Sequence, residues 1–217
     1  MRQENNAIIV GECEIHPSAQ LCPCAVIGKP FRKLLDGTQE QSAGTNISED
    51  TYIGYYAIIG SDSVIGPQTI VDDHCIIESW VEIGKHNLFT YRAQVCNEVT
   101  IGDRCIIGGF IGERTIIGNS CRIFGNIIHS QHDPTLGWDD DEAMEKSATI
   151  EDYAFVGFNA IVIGGVTIGQ NAYVCAGSII TKDVPEYHIA SKVNQIVPFA
   201  KWQGNLRESP FFCEHHD

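Results

Sequence analysis

A chain of 217 residues with 28 acidic and 14 basic side chains carries a formal charge of −14, which excludes the basic footprint needed to grip nucleic acid or an anionic membrane surface. No run approaches the roughly 18 apolar residues of a membrane-spanning helix, and the polar start Met1-Arg2-Gln3-Glu4-Asn5-Asn6 lacks the apolar centre of a signal peptide, so a cytoplasmic protein is expected. The nine cysteines are odd in number and irregularly spaced, which argues for free thiols and against a disulfide framework.

From the N-terminus, Ile9, Ile15, Leu21 and Ile27 fall six residues apart. The step is lost over residues 29–46, whose Gly, Gln, Ser and Asp content predicts a solvated excursion. It then runs without a miss through Ile47, Ile53, Ile59, Ile65, Val71, Ile77, Ile83, Phe89, Val95, Ile101 and Ile107. Four places after most of these stands a small residue, among them Thr51, Ala57 and Ala93; Cys13, Cys75, Cys105 and Cys121 also take this position, where a thiol acts as a compact hydrophobe. A period of six matches neither the 3.6 of a helix nor the 2.0 of a strand, and predicts a solenoid of short strands and tight corners, the hexapeptide β-helix.

After Ile107 the phase slips: Ile111 comes four residues on, followed by Ile117 and Ile123, which predicts a shortened corner or a bulge. A second excursion covers residues 128–149, and the step resumes at Ile150, Val156, Val162, Ile168, Val174 and Ile180. The expected organisation is one solenoid over residues 1–185 and a C-terminal cap or tail over 186–217, with a short helix near 198–206.

Three strings in the second half carry a resemblance: Ala148-Thr149-Ile150-Glu151-Asp152 with Phe155-Val156-Gly157, then Gly165-Val166-Thr167-Ile168-Gly169, then Ala176-Gly177-Ser178-Ile179-Ile180-Thr181-Lys182-Asp183-Val184-Pro185. They resemble the hexapeptide acyltransferases, and the last is similar to a segment of sugar and xenobiotic acetyltransferases. The resemblance implies an all-β, left-handed parallel β-helix with three strands per 18-residue coil, assembled as a homotrimer with sites between subunits. It further implies acetyl-CoA as co-substrate, no metal, and a sugar or nucleotide-linked amino sugar as O- or N-acceptor.

The site residues follow from the same resemblance. In Ile128-His129-Ser130-Gln131-His132-Asp133-Pro134, His132 stands 18 residues before Ile150 and matches the family's general base. His129 is the second candidate, and Asn126 a third, through its side-chain amide. An imidazole titrating near neutrality is suited to take the acceptor's proton. The family's oxyanion donor, a backbone N–H, falls at Phe158; Ala176 lies 18 residues on, as does Asn194 after it, so they are expected at one corner of successive coils. Gly177 permits close approach of pantetheine, and Lys182 and Lys192 are the expected partners of the CoA phosphates. The string Ala190-Ser191-Lys192-Val193-Asn194 departs from the family, which has glycine and proline there. Trp138 and the acidic run Asp139-Asp140-Asp141-Glu142 read as a solvated loop or a lid. Two other classes stay open: a zinc hydratase resembling the γ-type carbonic anhydrases, using His74, His86, His129 or His132, and a non-catalytic assembly module.

Overall fold

In the computed structural model of the chain, residues 6–30, 44–129 and 146–203 are described. Their strands are two to four residues long and stack into three sheets, the faces of a prism. Face A has nine strands, from Ile8–Ile9 to Ile179–Ile180; face B has eight, from Cys13–Ile15 to Thr167–Ile168. Face C has ten, from Gln20–Leu21 to the closing hairpin of His188–Ser191 and Gln195–Pro198. The chain visits A, B and C in turn, and every pairing is parallel except within that hairpin. The fold is a left-handed parallel β-helix. Parallel crossovers are otherwise almost always right-handed because strands twist; strands of two residues accumulate little twist and lift that constraint.

The six-residue step builds the interior. Ile47, Ile53 and Ile59 point inward from faces B, C and A of one coil, and their counterparts in the other coils are equally buried. Burying each contributes about 1.5–3 kcal/mol. At nearly every full corner one residue takes a left-handed conformation, as at Tyr56 (φ 58°), His74 (φ 60°) and Arg92 (φ 65°). Each such residue costs roughly 1–2 kcal/mol, which the aliphatic burial offsets. The buried cysteines are free; Cys75 Sγ, for example, donates to the Thr90 carbonyl at 3.2 Å.

Register explains the phase slip. Ile58, Ile76 and Gln94 are neighbours at a spacing of 18, but Gln94 pairs with Phe110 at a spacing of 16. The slip is a C–A corner cut by two residues, between Ile107 and Ile111. A second cut corner follows, between Ile123 and Ile127, where Ile111 pairs with Ile127. Strand structure also reaches into both predicted excursions, through Lys29 and from Thr45 on one side, and through Ile128 and from Thr149 on the other. Parallel pairing continues past residue 185, since Tyr173 and Val174 pair with Ile189 and Ala190. The small Ala190 replaces the aliphatic there, and the spacing of 16 hides it from a six-residue count. In place of a helix near 198–206 the described residues contain a single 3-10 turn, Phe199–Lys201. No helix among them is long and apolar enough to cross a membrane.

The outer surfaces of the faces differ. Face A presents Ile58, Ile76, Phe110, Ile161 and Ile179, and face C presents Tyr52, Ile70, Leu88, Ile106, Phe155 and Tyr173. Face B is more polar, with Glu14, Asn46, Glu82, Thr100 and Thr167 outward.

Phe89 is fully buried where the other coils carry Leu, Ile, Val or Ala. Phe89→Ala is expected to lower stability by about 3–5 kcal/mol, read as a shift of the urea unfolding midpoint.

Candidate functional site along two prism edges

Each candidate is assigned to an edge by the strands on either side of it. Phe158 follows the face C strand Phe155–Val156 and precedes the face A strand Ile161–Ile163, so it stands on the C–A edge. Ala176 and Gly177 stand on the same edge one coil on, and Lys192 follows the face C strand His188–Ser191 there. Gly177 has φ 68° and nothing within 4 Å of the position a Cβ would take. Gly157 cannot carry a Cβ, which would lie 2.6 Å from the Ala176 nitrogen, so the two corners are in contact. Asn194 is displaced from this column because the last coil is short. It lies beyond Ile179 and hydrogen-bonds Thr181, its Oδ1 accepting from the Thr181 N–H at 2.8 Å.

His129 and Lys182 lie elsewhere. His129 follows the face A strand Asn126–Ile128 and stands on the A–B edge; Lys182 stands there too, between Ile180 and the Ile168–Val184 bridge. Asn126 lies on face A, and its Oδ1 accepts from the Phe110 N–H at 3.3 Å, a tie between coils. One protomer therefore places the Phe158 group and the His129 group on opposite edges of face A. His132, Trp138 and the acidic run lie outside the described residues. His74, His86 and His129 occupy three different edges, and no group of three metal-type ligands is brought together among the described residues.

The Phe158 N–H differs from that of Tyr55 for an electrostatic reason. At the equivalent place five coils earlier, in the regular run, the Tyr55 N–H donates to Asp73 Oδ1 of the next coil at 2.7 Å. Asp73 is 18 residues after Tyr55, as Ala176 is 18 after Phe158. Alanine has no acceptor, and no described residue accepts from the Phe158 N–H. The Phe158 carbonyl accepts from Gly177 at 2.9 Å, as the Tyr55 carbonyl does from His74, which aims the corner backbone. Phe158 itself is 62% exposed, and its ring stacks on Phe124 at 4.5 Å. The result is an outward N–H at a corner with small neighbours, able to meet developing negative charge on a carbonyl oxygen.

The A–B edge has its own chemistry. Pairing of Ile111 with Ile127 sets His129 in register with Glu113 of the preceding coil. The Glu113 carboxylate accepts from Asn97 Nδ2 at 3.4 Å, and its carbonyl accepts from Ser147 Oγ at 2.6 Å. Burial, followed by the neighbouring Glu113, raises the Glu78 carboxyl above its ordinary value. Burial, followed by Glu78 and Glu113, pushes the Cys96 thiol up to about 12, so it stays protonated at neutral pH. Sequence spacing did not single out Glu113, because its nearness to His129 exists only through the shortened coil.

Comparison with known proteins follows these lines. Residues 147–182 match the family model described as hexapeptide repeat of succinyl-transferase. The bifunctional protein GlmU of Geobacillus thermodenitrificans is 34% identical over 172 residues, covering 62% of this chain and 38% of that protein. GlmU of Exiguobacterium sibiricum is 32% identical over 177 residues, covering 64% and 39%. The chain thus spans about two fifths of the length of these curated relatives. Among solved structures, the UDP-N-acetylglucosamine acyltransferase of Campylobacter jejuni superposes with a TM-score of 0.53 at 17% identity, over 88% of this chain and 71% of that one, a likeness of fold.

Because the Asp73 carboxylate caps the Tyr55 N–H, Asp73→Ala is expected to lower stability by about 1–2 kcal/mol in urea unfolding. Amide exchange at Tyr55 should accelerate while that at Phe158 stays unchanged.

Proposed function

From the premise that the chain belongs to the hexapeptide-repeat acyltransferase family, we propose that it moves an acetyl group from acetyl-CoA to a sugar or a nucleotide-linked amino sugar. The observation that carries this reading is the Phe158 N–H, left without a protein acceptor by alanine at residue 176. In the reading, the thioester carbonyl oxygen lies at that N–H, and pantetheine runs along the corner past Ala176 and Gly177 toward Lys192. The acceptor hydroxyl or amine attacks the carbonyl carbon while a histidine removes its proton. The tetrahedral oxyanion is held by the Phe158 N–H, and its collapse expels the CoA thiolate, which takes the proton from the imidazolium.

His132 is the proposed base and His129 the second candidate, both from the segment that leaves the A–B edge. Within one protomer that edge is separated from Phe158 by the width of face A, so the reading places the site between copies in a homotrimer. The apolar outer residues of faces A and C support such an assembly, since a neighbour's edge would cover them. Lys182 then serves the CoA bound to a neighbouring copy, and Lys192 serves its own.

Release of CoA thiol in the presence of a nucleotide-sugar panel tests the reading. His132→Ala is expected to reduce transfer about 10²–10⁴-fold with the fold intact. If His129→Ala does so and His132→Ala does not, the base is His129; if neither changes transfer, histidine catalysis is wrong. Ala176→Asp restores the acceptor that Tyr55 has. It should preserve the melting temperature and cost about 10²–10³-fold in kcat; undiminished turnover would remove Phe158 from the mechanism.

A further inference from the structure

The B–C edge carries a column of small side chains that tie each coil to the next. Thr51 Oγ1 donates to the Gly66 carbonyl at 3.4 Å, and Thr69 Oγ1 to the Gly84 carbonyl at 3.2 Å. Farther along the column thiols do the same. Cys105 Sγ donates to the Gly118 carbonyl and Cys121 Sγ to the Glu151 carbonyl, each at 3.1 Å. A hydroxyl serves this place, so the bonding alone does not call for sulfur.

What sulfur adds is a reactive neighbour. Ile106 pairs with Arg122, which sets Cys105 beside Cys121 on adjacent coils. Paired strands lie about 4.8 Å apart, inside the roughly 4.4–6.8 Å between Cα atoms that a disulfide spans. Both side chains are fully buried and free, and the thiols are within hydrogen-bonding reach of each other. No other two described cysteines adjoin on neighbouring coils. Donation from the Cys121 thiol lowers the Cys105 pKa and outweighs burial, so Cys105 is the better nucleophile of the two. Cys121 is raised, first by that hydrogen bond and then by burial.

The two thiols are 16 residues apart and close one coil, the one whose C–A corner is cut between Ile107 and Ile111. Gly108, Gly109, Gly112 and Gly118 lie between them, so this coil has much conformational freedom to lose on folding. We infer that hydrogen peroxide joins Cys105 and Cys121 in a disulfide that staples this coil. The Cys105 thiolate attacks a peroxide oxygen, the O–O bond breaks, and water leaves with the thiol's proton, giving a sulfenic acid. The Cys121 sulfur then attacks the Cys105 sulfur, the S–O bond breaks, and the hydroxide leaves with the second thiol's proton as water. Two thiols are oxidised and one peroxide is reduced to two waters. Hydrogen peroxide is close to water in size and enters a packed corner when it opens locally, which excludes larger oxidants. The inference is independent of the acyl-transfer reading.

Trypsin supplies the test, because Arg104, Arg114 and Arg122 leave Cys105 and Cys121 as single cysteines in the adjacent peptides 105–114 and 115–122. The folded full chain is treated with hydrogen peroxide, its remaining thiols are alkylated in denaturant, and it is digested without reductant. The two peptides are expected joined, lighter than their sum by two hydrogens, and separate again after dithiothreitol. The cross-linked protein should melt roughly 3–10 °C above the reduced one. Thr51 and Thr69 show that the column accepts hydroxyls, so Cys105→Ser and Cys121→Ser should fold, yield no joined peptide and lose the peroxide-dependent rise. Peptides that stay separate after oxidation, or a partner for Cys105 other than Cys121, would overturn the inference. Joining in urea but not in the folded chain, or a cross-linked protein that melts lower, would overturn it as well.

Discussion

The interior of this prism is one side chain wide at each face, and every sixth residue must fill it. Ile59, Ile77 and Val95 lie directly over one another, and a polar residue in that column would be buried with no water to meet it. Everything outside inherits this register. Because residues 18 or 16 apart become neighbours, each edge reads as a column in which one coil chooses what the next coil's backbone meets.

That rule makes a single side chain decisive. Asp73 closes the Tyr55 N–H, and Ala176, in the same place of a later pair, leaves the Phe158 N–H open. Both arrangements fit the same backbone. The difference between a capped structural corner and one that can meet an oxyanion is one carboxylate, which is how a repeat fold acquires a site without altering its architecture. The two cut corners act similarly by subtraction: they leave the interior stack intact, since Ile107, Ile111, Ile123 and Ile127 remain buried, and remove only outer surface.

The edges also divide the chemistry. Phe158, Ala176, Gly177 and Lys192 run up one edge, while His129 and Lys182 share another. A rigid prism cannot fold these edges together. In the acyl-transfer reading proposed above, convergence comes from a second copy, and the unequal polarity of the faces gives such a copy somewhere to pack.

Much of this was legible in the residues. The eleven evenly spaced positions from Ile47 to Ile107 specify a six-residue solenoid because only buried positions repeat so strictly. Phe158 and Ala176 were placed together by counting 18, which holds where coils are regular. The same count put Asn194 in their column and failed, because the last coil is two residues short. The second cut corner was hidden: Ile127 adjoins Ile128 and the start of an excursion, so no step appears broken. Lys182 read as a neighbour of Ala176 along the chain, yet six residues carry it across a face to another edge. Periodicity, then, determined the coil, its interior and the approximate ends of the repeat. Which edge each polar side chain occupies, and which N–H lacks an acceptor, depended on the three-dimensional register, since hydrogen bonds between coils join residues that linear spacing separates by a variable count.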